Sequence, residues 1–382
     1  MIKDMKIVYC IPSLANSGGM ERVLSLKVNY LVKNEKYEIT IITTDQKNRN
    51  LYFSLDNRIK IVDFALNYED HFNQPLIKKY LSHKRKQKKY FILLESYLKN
   101  NHIDICISLC GKEIDFLYKL RDGSKKMAEL HFSKNFRTQF LDSTNKGKLW
   151  HLLGIIRTKQ LEKVTKKLAK LIVLTKEDKK DWDKTHSNVV QIYNPLSFDT
   201  TEVSELNNKS AIAVGKLDAQ KGFDYLIDIW SLVVQKHTDW TLNIWGEGIW
   251  KDKLNYKIEH KGLKNCVFLR GVTDKIKDEY LNNSMYLMTS RFEGFPMVLI
   301  EASSCGLPLI SFNCKHGPSD IIIDGYNGFL IDELDFEGMA EKICYLINNR
   351  ILRKKMGINS KVISQNFSIK EVMKKWIDLF EQ

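Results

Sequence analysis

The sequence has 382 residues, with 60 Lys+Arg against 46 Asp+Glu and a formal net charge of +14. Hydrophobic residues make up 43% and charged residues 28%, with only 6 Pro and 19 Gly, which excludes a largely disordered, collagen-like or linker-rich chain and leaves room for two or three domains of about 150 residues. No apolar run reaches about 18 residues, and the seven Cys include no CxxC pair, so the chain reads as a soluble protein of a reducing, cytoplasmic compartment.

In chain order, the first apolar run, MKIVYCI, is an expected strand and not a signal peptide, because a charge interrupts the stretch before it and a Gly turn follows. That turn, Ser17-Gly18-Gly19-Met20-Glu21-Arg22, lets the backbone approach a ligand before a helix, although a Gly-Gly pair alone fits an ordinary tight turn equally well. The runs EITIIT, IKIVDF, DICISL, MAELHF, KLIVLT and VVQIYN continue the series, with helices expected over 20–34, 76–99, 145–168 and 176–184. Short β-branched runs separated by amphipathic stretches are what a parallel sheet covered on both faces requires. At the end of one such run, Glu129-Leu130-His131-Phe132 places a His where a strand end meets a cleft, though a lone His is more often structural.

Two stretches of this half are strongly basic. Residues 78–89, KKYLSHKRKQKK, hold seven cations in twelve positions and run into YFILLESYL; a second cationic segment covers 157–184. A basic helix with apolar residues alongside suits an anionic membrane surface, and simple solubilising charge is the competing reading. Nucleic acid is not an expected partner, since no nucleic-acid motif or RNP-like aromatic strand is present. Asp181-Trp182-Asp183 has the form of a DxD metal motif, but it lies in a Lys-rich helical stretch and reads as a solvated helix, so no metal is expected.

A polar, Pro-containing break over 194–210 precedes a second series, AIAVG, TLNIWG, VFLRG, MYLMTS, PLISF and GFLI. The expected fold is α/β: two doubly wound, Rossmann-like domains, 1–195 and 196–366, facing across a cleft, with a helix in 367–382 packing back toward the first domain. Residues 1–195 hold 37 Lys+Arg and 21 Asp+Glu, a charge of +16, whereas 196–382 hold 23 and 25, a charge of −2.

The second half carries the chemistry. Lys216 and Lys221 bracket a loop between a strand and a helix, a pairing suited to a diphosphate, although loop lysines are ordinarily just solvated. Then comes Arg291-Phe292-Glu293-Gly294-Phe295-Pro296-Met297-Val298-Leu299-Ile300-Glu301-Ala302. Backbone N–H groups around Phe295–Val298 would open a helix and can hold phosphate oxygens, with Glu301 two turns into that helix. Carboxylates accept paired hydroxyls, so Glu301 suits a ribose diol and Glu293 a sugar hydroxyl; apolar neighbours make Glu301 partly buried and in need of partners. His316-Gly317-Pro318-Ser319-Asp320 and the turn Asp324-Gly325-Tyr326-Asn327-Gly328 follow.

The order GGxER, GKLxxxKGFD, EGFPxxxxEA and HGPSDIIxDGxNGFLI closely resembles the retaining glycosyltransferases of the GT-B fold, family 4, over nearly the whole chain and most specifically over 210–331. The resemblance implies a nucleotide-sugar donor, with UDP the family's common choice, and a hexose or N-acetylhexosamine passed to a lipid-linked or polysaccharide acceptor in bacterial surface glycan synthesis. It implies Gly18 and Gly19 near the donor diphosphate, Lys216 and Lys221 neutralising it, and His131 near the transferred sugar. Glu293 would hold that sugar beside the backbone of Gly294, Phe295, Pro296, Met297 and Val298, with Glu301 on the ribose and Gly271 and Val272 by the base. Lys216 departs from the family's usual Arg and gives up its planar fork. A nucleotide-sugar epimerase of the same fold, or a non-catalytic glycan- or partner-binding member, are the alternatives. The expected location is cytoplasmic, with the basic half at the inner face of the plasma membrane.

Overall fold

Strand Ile105–Ser108 is buried at every position, as a strand covered on both faces must be. The computed structural model describes residues 5–33, 36–71, 75–143 and 147–382; residues 34, 145 and 146 of the expected helices lie outside them. The first sheet has seven parallel strands, β1 (Met5–Cys10), β2 (Tyr37–Thr43), β3 (Lys60–Asp63), β4 (Ile105–Ser108), β5 (Lys125–Glu129), β6 (Lys170–Val173) and β7 (Val189–Gln191), in the order β3-β2-β1-β4-β5-β6-β7. The second has six, β8 (Ser210–Val214), β9 (Thr241–Trp245), β10 (Val267–Gly271), β11 (Met285–Met288), β12 (Leu309–Phe312) and β13 (Gly328–Ile331), in the order β10-β9-β8-β11-β12-β13. Both orders reverse direction once, between β1 and β4 and between β8 and β11. In such sheets ligands bind beyond the carboxyl ends of the strands at that reversal.

Helix Ile369–Phe380 has the pattern of a one-faced helix, burying Val372, Met373, Trp376, Leu379 and Phe380. It packs on the helix Gly19–Leu31 of the first domain. The Phe380 ring lies 6.2 Å from that of Tyr37, and the Trp376 ring sits 3.7 Å from Lys27 Nζ. The chain therefore passes between the domains twice, and the two passages are tied by the Leu196 N–H donating to Phe367 O at 2.7 Å. Tyr193, Phe295 and Phe367 meet at 5.0–5.8 Å between ring centres beneath the cleft, inside an apolar cluster continuous through both domains.

The cationic segment 157–184 is divided among helix Lys148–Thr165, the interior strand β6 and helix Lys176–Asp183, which turns toward the second domain. Within it, the expectation of a solvated Asp181-Trp182-Asp183 needs correction. Trp182 is fully buried, Asp183 pairs with Lys179 at 2.5 Å, and Asp181 bridges to Lys184 at 2.7 Å and across to Lys315 at 3.1 Å.

Candidate active site

The carboxyl ends of β1, β8, β9, β10 and β11 converge on a cleft of about 630 Å³ between the domains. Its lining brings together Gly18, Gly19, Lys216, Lys221, Gly271, Val272, Glu293, Phe295, Pro296, Met297, Val298 and Glu301. Two residues singled out from the sequence, His131 and Gly294, stand beside the cleft without lining it.

The loop before Glu293 is held from several sides. Arg291 forks onto Asp224 at 2.8 and 3.0 Å with its guanidinium 3.8 Å from the Tyr225 ring centre, and its backbone N–H donates to Gln220 O at 2.8 Å. Gln220 in turn donates to Phe292 O at 3.1 Å. These contacts bring the Lys221 loop and the Glu293 loop together, and Lys221 Nζ pairs with Glu293 Oε1 at 2.7 Å, with 19% and 6% of the side chains exposed. Gly222 starts the helix Phe223–Val233 at φ +63°, where a Cβ would lie 2.0 Å from Thr289 O; only glycine fits. Lys216, by contrast, is 71% exposed and lies 3.9 Å from Asp218.

Helix Met297–Ser304 begins at the cleft with no side-chain cap; the Met297 and Leu299 N–H groups donate to Phe295 O at 3.0 Å and Pro296 O at 2.9 Å, and the Val298 N–H between them is the one of the first turn that suits an anion. Because it starts at Met297, Glu301 is about one turn into it, not two. The buried Glu301 accepts from Tyr280 Oη at 3.1 Å and lies 3.4 Å from Arg22 Nη1. Burial pushes its carboxyl above the ordinary range, against the opposing pull of Ser197, Arg22 and Tyr280.

His131 follows β5. Its Nε2 stands 3.3 Å from Glu129 Oε1 but outside hydrogen-bonding geometry, so the contact is electrostatic. Glu129 Oε2 accepts from the buried Lys27 at 2.5 Å. The domains approach closely here: a Cβ on Gly294 would lie 2.8 Å from His131 O and 3.2 Å from Phe132 Cα, and the Phe136 and Phe292 rings meet edge to face at 5.8 Å. Gly294→Ala is therefore expected to wedge the loops apart and lower kcat/KM about 10- to 100-fold. Steady-state kinetics beside a melting curve check this, and unchanged rates would mean the approach is not needed for turnover.

Arg22, Ser197, Tyr280, Trp245, Glu247 and Thr273, all at the cleft or on Glu301, were not among the residues expected there from the sequence. Arg22 stood inside the Gly-Gly motif. Trp245 and Glu247 belong to the WGEG run that begins at the last residue of β9, and its two glycines were the available signal.

Residues 199–362 match the family described as glycosyl transferases group 1. Over 376 residues the chain is 29% identical to an uncharacterized glycosyltransferase of Haemophilus influenzae, covering 97% of this chain and 98% of that one. Over 405 residues it is 28% identical to the poly(ribitol-phosphate) alpha-N-acetylglucosaminyltransferase of Staphylococcus aureus, covering 96% and 79%. A mutant of S. aureus TarM, solved in complex with fondaparinux, alpha-GlcNAc-glycerol and UDP, is similar in fold at a TM-score of 0.77 and 19% identity, over 99% of this chain and 100% of that one.

Proposed function

The chain is a group 1 glycosyltransferase with the GT-B fold, and on that premise we propose that it moves a hexose or N-acetylhexosamine from a UDP-sugar, with retention, to a lipid-linked or polysaccharide acceptor of a bacterial surface glycan. The Lys221–Glu293 pair at an uncapped helix start, with buried Glu301 in the same cleft, carries this reading. Breaking the bond from the anomeric carbon to phosphate leaves positive charge on the sugar and negative charge on the diphosphate. Lys221, Lys216 and the Val298 N–H at the start of helix Met297–Ser304 face the negative charge, which is where preorganised groups act most strongly. Glu293 orients the sugar, Glu301 takes the ribose hydroxyls, and Gly18 and Gly19 let the backbone close on the diphosphate. The acceptor hydroxyl attacks from the side that the diphosphate leaves, passing its proton to the departing oxygen. UDP in the TarM complex and the sugar in the name of the S. aureus relative support this choice of donor.

Both carboxylates of Asp181-Trp182-Asp183 already meet lysines, so the reaction is proposed to need no metal. Incubating the protein with UDP-, GDP- and ADP-sugars, each with and without EDTA, should show turnover of a UDP-sugar that EDTA leaves unchanged. Turnover of none defeats the transferase mechanism, and loss in EDTA defeats the metal-free one.

The membrane-peripheral part of the expected cytoplasmic location has its own support. Among the described residues no helix is long and apolar enough to cross a membrane. Helix Lys148–Thr165 nevertheless exposes Trp150 (56%), Leu152 (54%), Leu153 (44%) and Ile156 (51%) beside the exposed cations Lys148, Arg157 and Lys159. Helix Leu76–Asn100 exposes Leu81, Arg85, Lys88 and Ile92 at helical spacing. Apolar side chains framed by cations fit an anionic lipid surface. The protein should sediment with phosphatidylglycerol vesicles and not with phosphatidylcholine ones, and Leu152→Glu with Ile156→Glu should release it. Equal sedimentation with both lipids, or none, removes the membrane from this reading.

A further inference from the structure

Resting on the proposed transfer to a lipid-linked or polysaccharide acceptor, we infer that this acceptor bears a phosphate or diphosphate, received in a second cavity, within the first domain, by Arg137, Arg157 and Lys112. The cavity, about 490 Å³, shares no lining residue with the donor cleft. It opens where the first sheet reverses direction: Pro12 follows β1, and Cys110 and Lys112 follow β4. That is the position at which a doubly wound sheet takes a ligand. Its lip is fixed by Glu113, a buried carboxylate that accepts the Gly111 N–H at 3.1 Å, the Ser108 hydroxyl at 2.5 Å and the Tyr90 hydroxyl at 3.2 Å.

The charges in the cavity are unevenly engaged. Three carboxylates line it, and each has partners of its own. Glu69 lies 3.7 Å from Lys47 and 3.8 Å from Arg49. Asp45 accepts the Thr44 hydroxyl at 2.7 Å and the Glu69 N–H at 3.1 Å. Asp115 accepts from Gln160 at 2.9 Å and stands 3.9 Å from Arg157. Among the described residues no carboxylate is within ion-pair distance of Lys112 or Arg137, and Arg137 Nη1 is shielded from water with no hydrogen-bond partner. A shielded guanidinium N–H without an acceptor is unfavourable, and its planar fork matches phosphate oxygens.

The place also suits transfer. Arg137 lies over the Phe132 ring, 5.3 Å from its centre, one residue beyond His131. Arg157 comes from helix Lys148–Thr165, the one that exposes Trp150 and Ile156. A lipid diphosphate and a polyol phosphate share the chemistry this cavity reads, and they differ in the group esterified to the phosphate, an apolar chain in one and a polyol in the other.

Isothermal titration calorimetry on the full chain at low salt, with UDP held saturating, separates the cases. The probes are farnesyl diphosphate, glycerol 3-phosphate, farnesol and glycerol. At least one phosphate probe should bind about tenfold or more tighter than its uncharged counterpart, and Arg137→Gln and Lys112→Ala should each weaken it about tenfold. UDP affinity should stay as in the wild type. Preference for farnesyl diphosphate identifies a lipid diphosphate, and preference for glycerol 3-phosphate a polyol phosphate. Lys112 is exposed, so its removal leaves the fold intact, and a melting curve confirms the same for Arg137→Gln. The inference is overturned if neither phosphate outbinds its uncharged counterpart, or if binding survives both substitutions. Failure of UDP to bind counts against the donor reading alone, because Arg137 and Lys112 line only the second cavity.

Discussion

Glu293→Ala should lower kcat/KM by roughly 10²- to 10³-fold while the protein keeps its fold. The carboxylate sits in a cleft built by two loops that hold each other through Arg291, Asp224 and Gln220. Removing it takes away the group proposed to orient the sugar and leaves Lys221, 19% exposed, without its 2.7 Å partner. Lys221→Ala should also be slow, for loss of charge opposite the diphosphate. The double variant should fall well short of the product of the two, because residues in contact act as a unit. Kinetics of the three variants, with circular dichroism to check the fold, test this; wild-type rates in Glu293→Ala would remove that residue from the site.

The second large effect is on stability. Glu129→Ala strands the ammonium of Lys27, which is 1% exposed, and should cost about 3–5 kcal/mol of unfolding free energy. Glu129→Ala with Lys27→Met should recover much of that loss, since no charge is then left buried. Burial alone would raise the Glu129 carboxyl, but the charges of Lys27 and His131 outweigh it and hold the group at about 2, against an ordinary 4.5. Burial pulls Lys27 the other way, below its ordinary range, despite Glu129. The 2.5 Å contact, with the Trp376 face 3.7 Å from Nζ, keeps both charges in place at neutral pH. A carboxyl whose folded pKa is depressed stabilises fully above its unfolded value, so this contribution is complete above pH 4.5 and drains away as pH falls toward 2. Urea unfolding of wild type and Glu129→Gln over that window should converge toward acid; a gap that stays constant would show that the pair is not the source.

Strand positions were legible because each depends on a local pattern: DICISL or PLISF can hardly be anything but an interior strand of a covered sheet. Glu301 could be read as a carboxylate needing partners, because its apolar neighbours showed that its helix face is buried. Its partners could not be read. Arg22 is 279 positions away and Tyr280 is 21, and only tertiary packing brings them together. The same limit hid the link from Trp376 through Lys27 and Glu129 to His131, which spans most of the chain. For Asp181-Trp182-Asp183 the local pattern misled, since the lysines that make the stretch look solvated include its ion-pair partners, while Lys315 comes from the other domain.

The return of helix Ile369–Phe380 to the first domain bears on how the protein is made. A ribosome completes the first sheet when barely half the chain has emerged, yet the surface around Tyr37 and Lys27 has to wait for Trp376 and Phe380 to cover it. Until then Lys27 faces Glu129 without its aromatic lid, and the part of helix Gly19–Leu31 that helix Ile369–Phe380 covers stays open to water. The domain synthesised first is thus sealed only by a much later segment, and an interrupted chain exposes a sticky flank beside the cleft that Gly19 and Arg22 line.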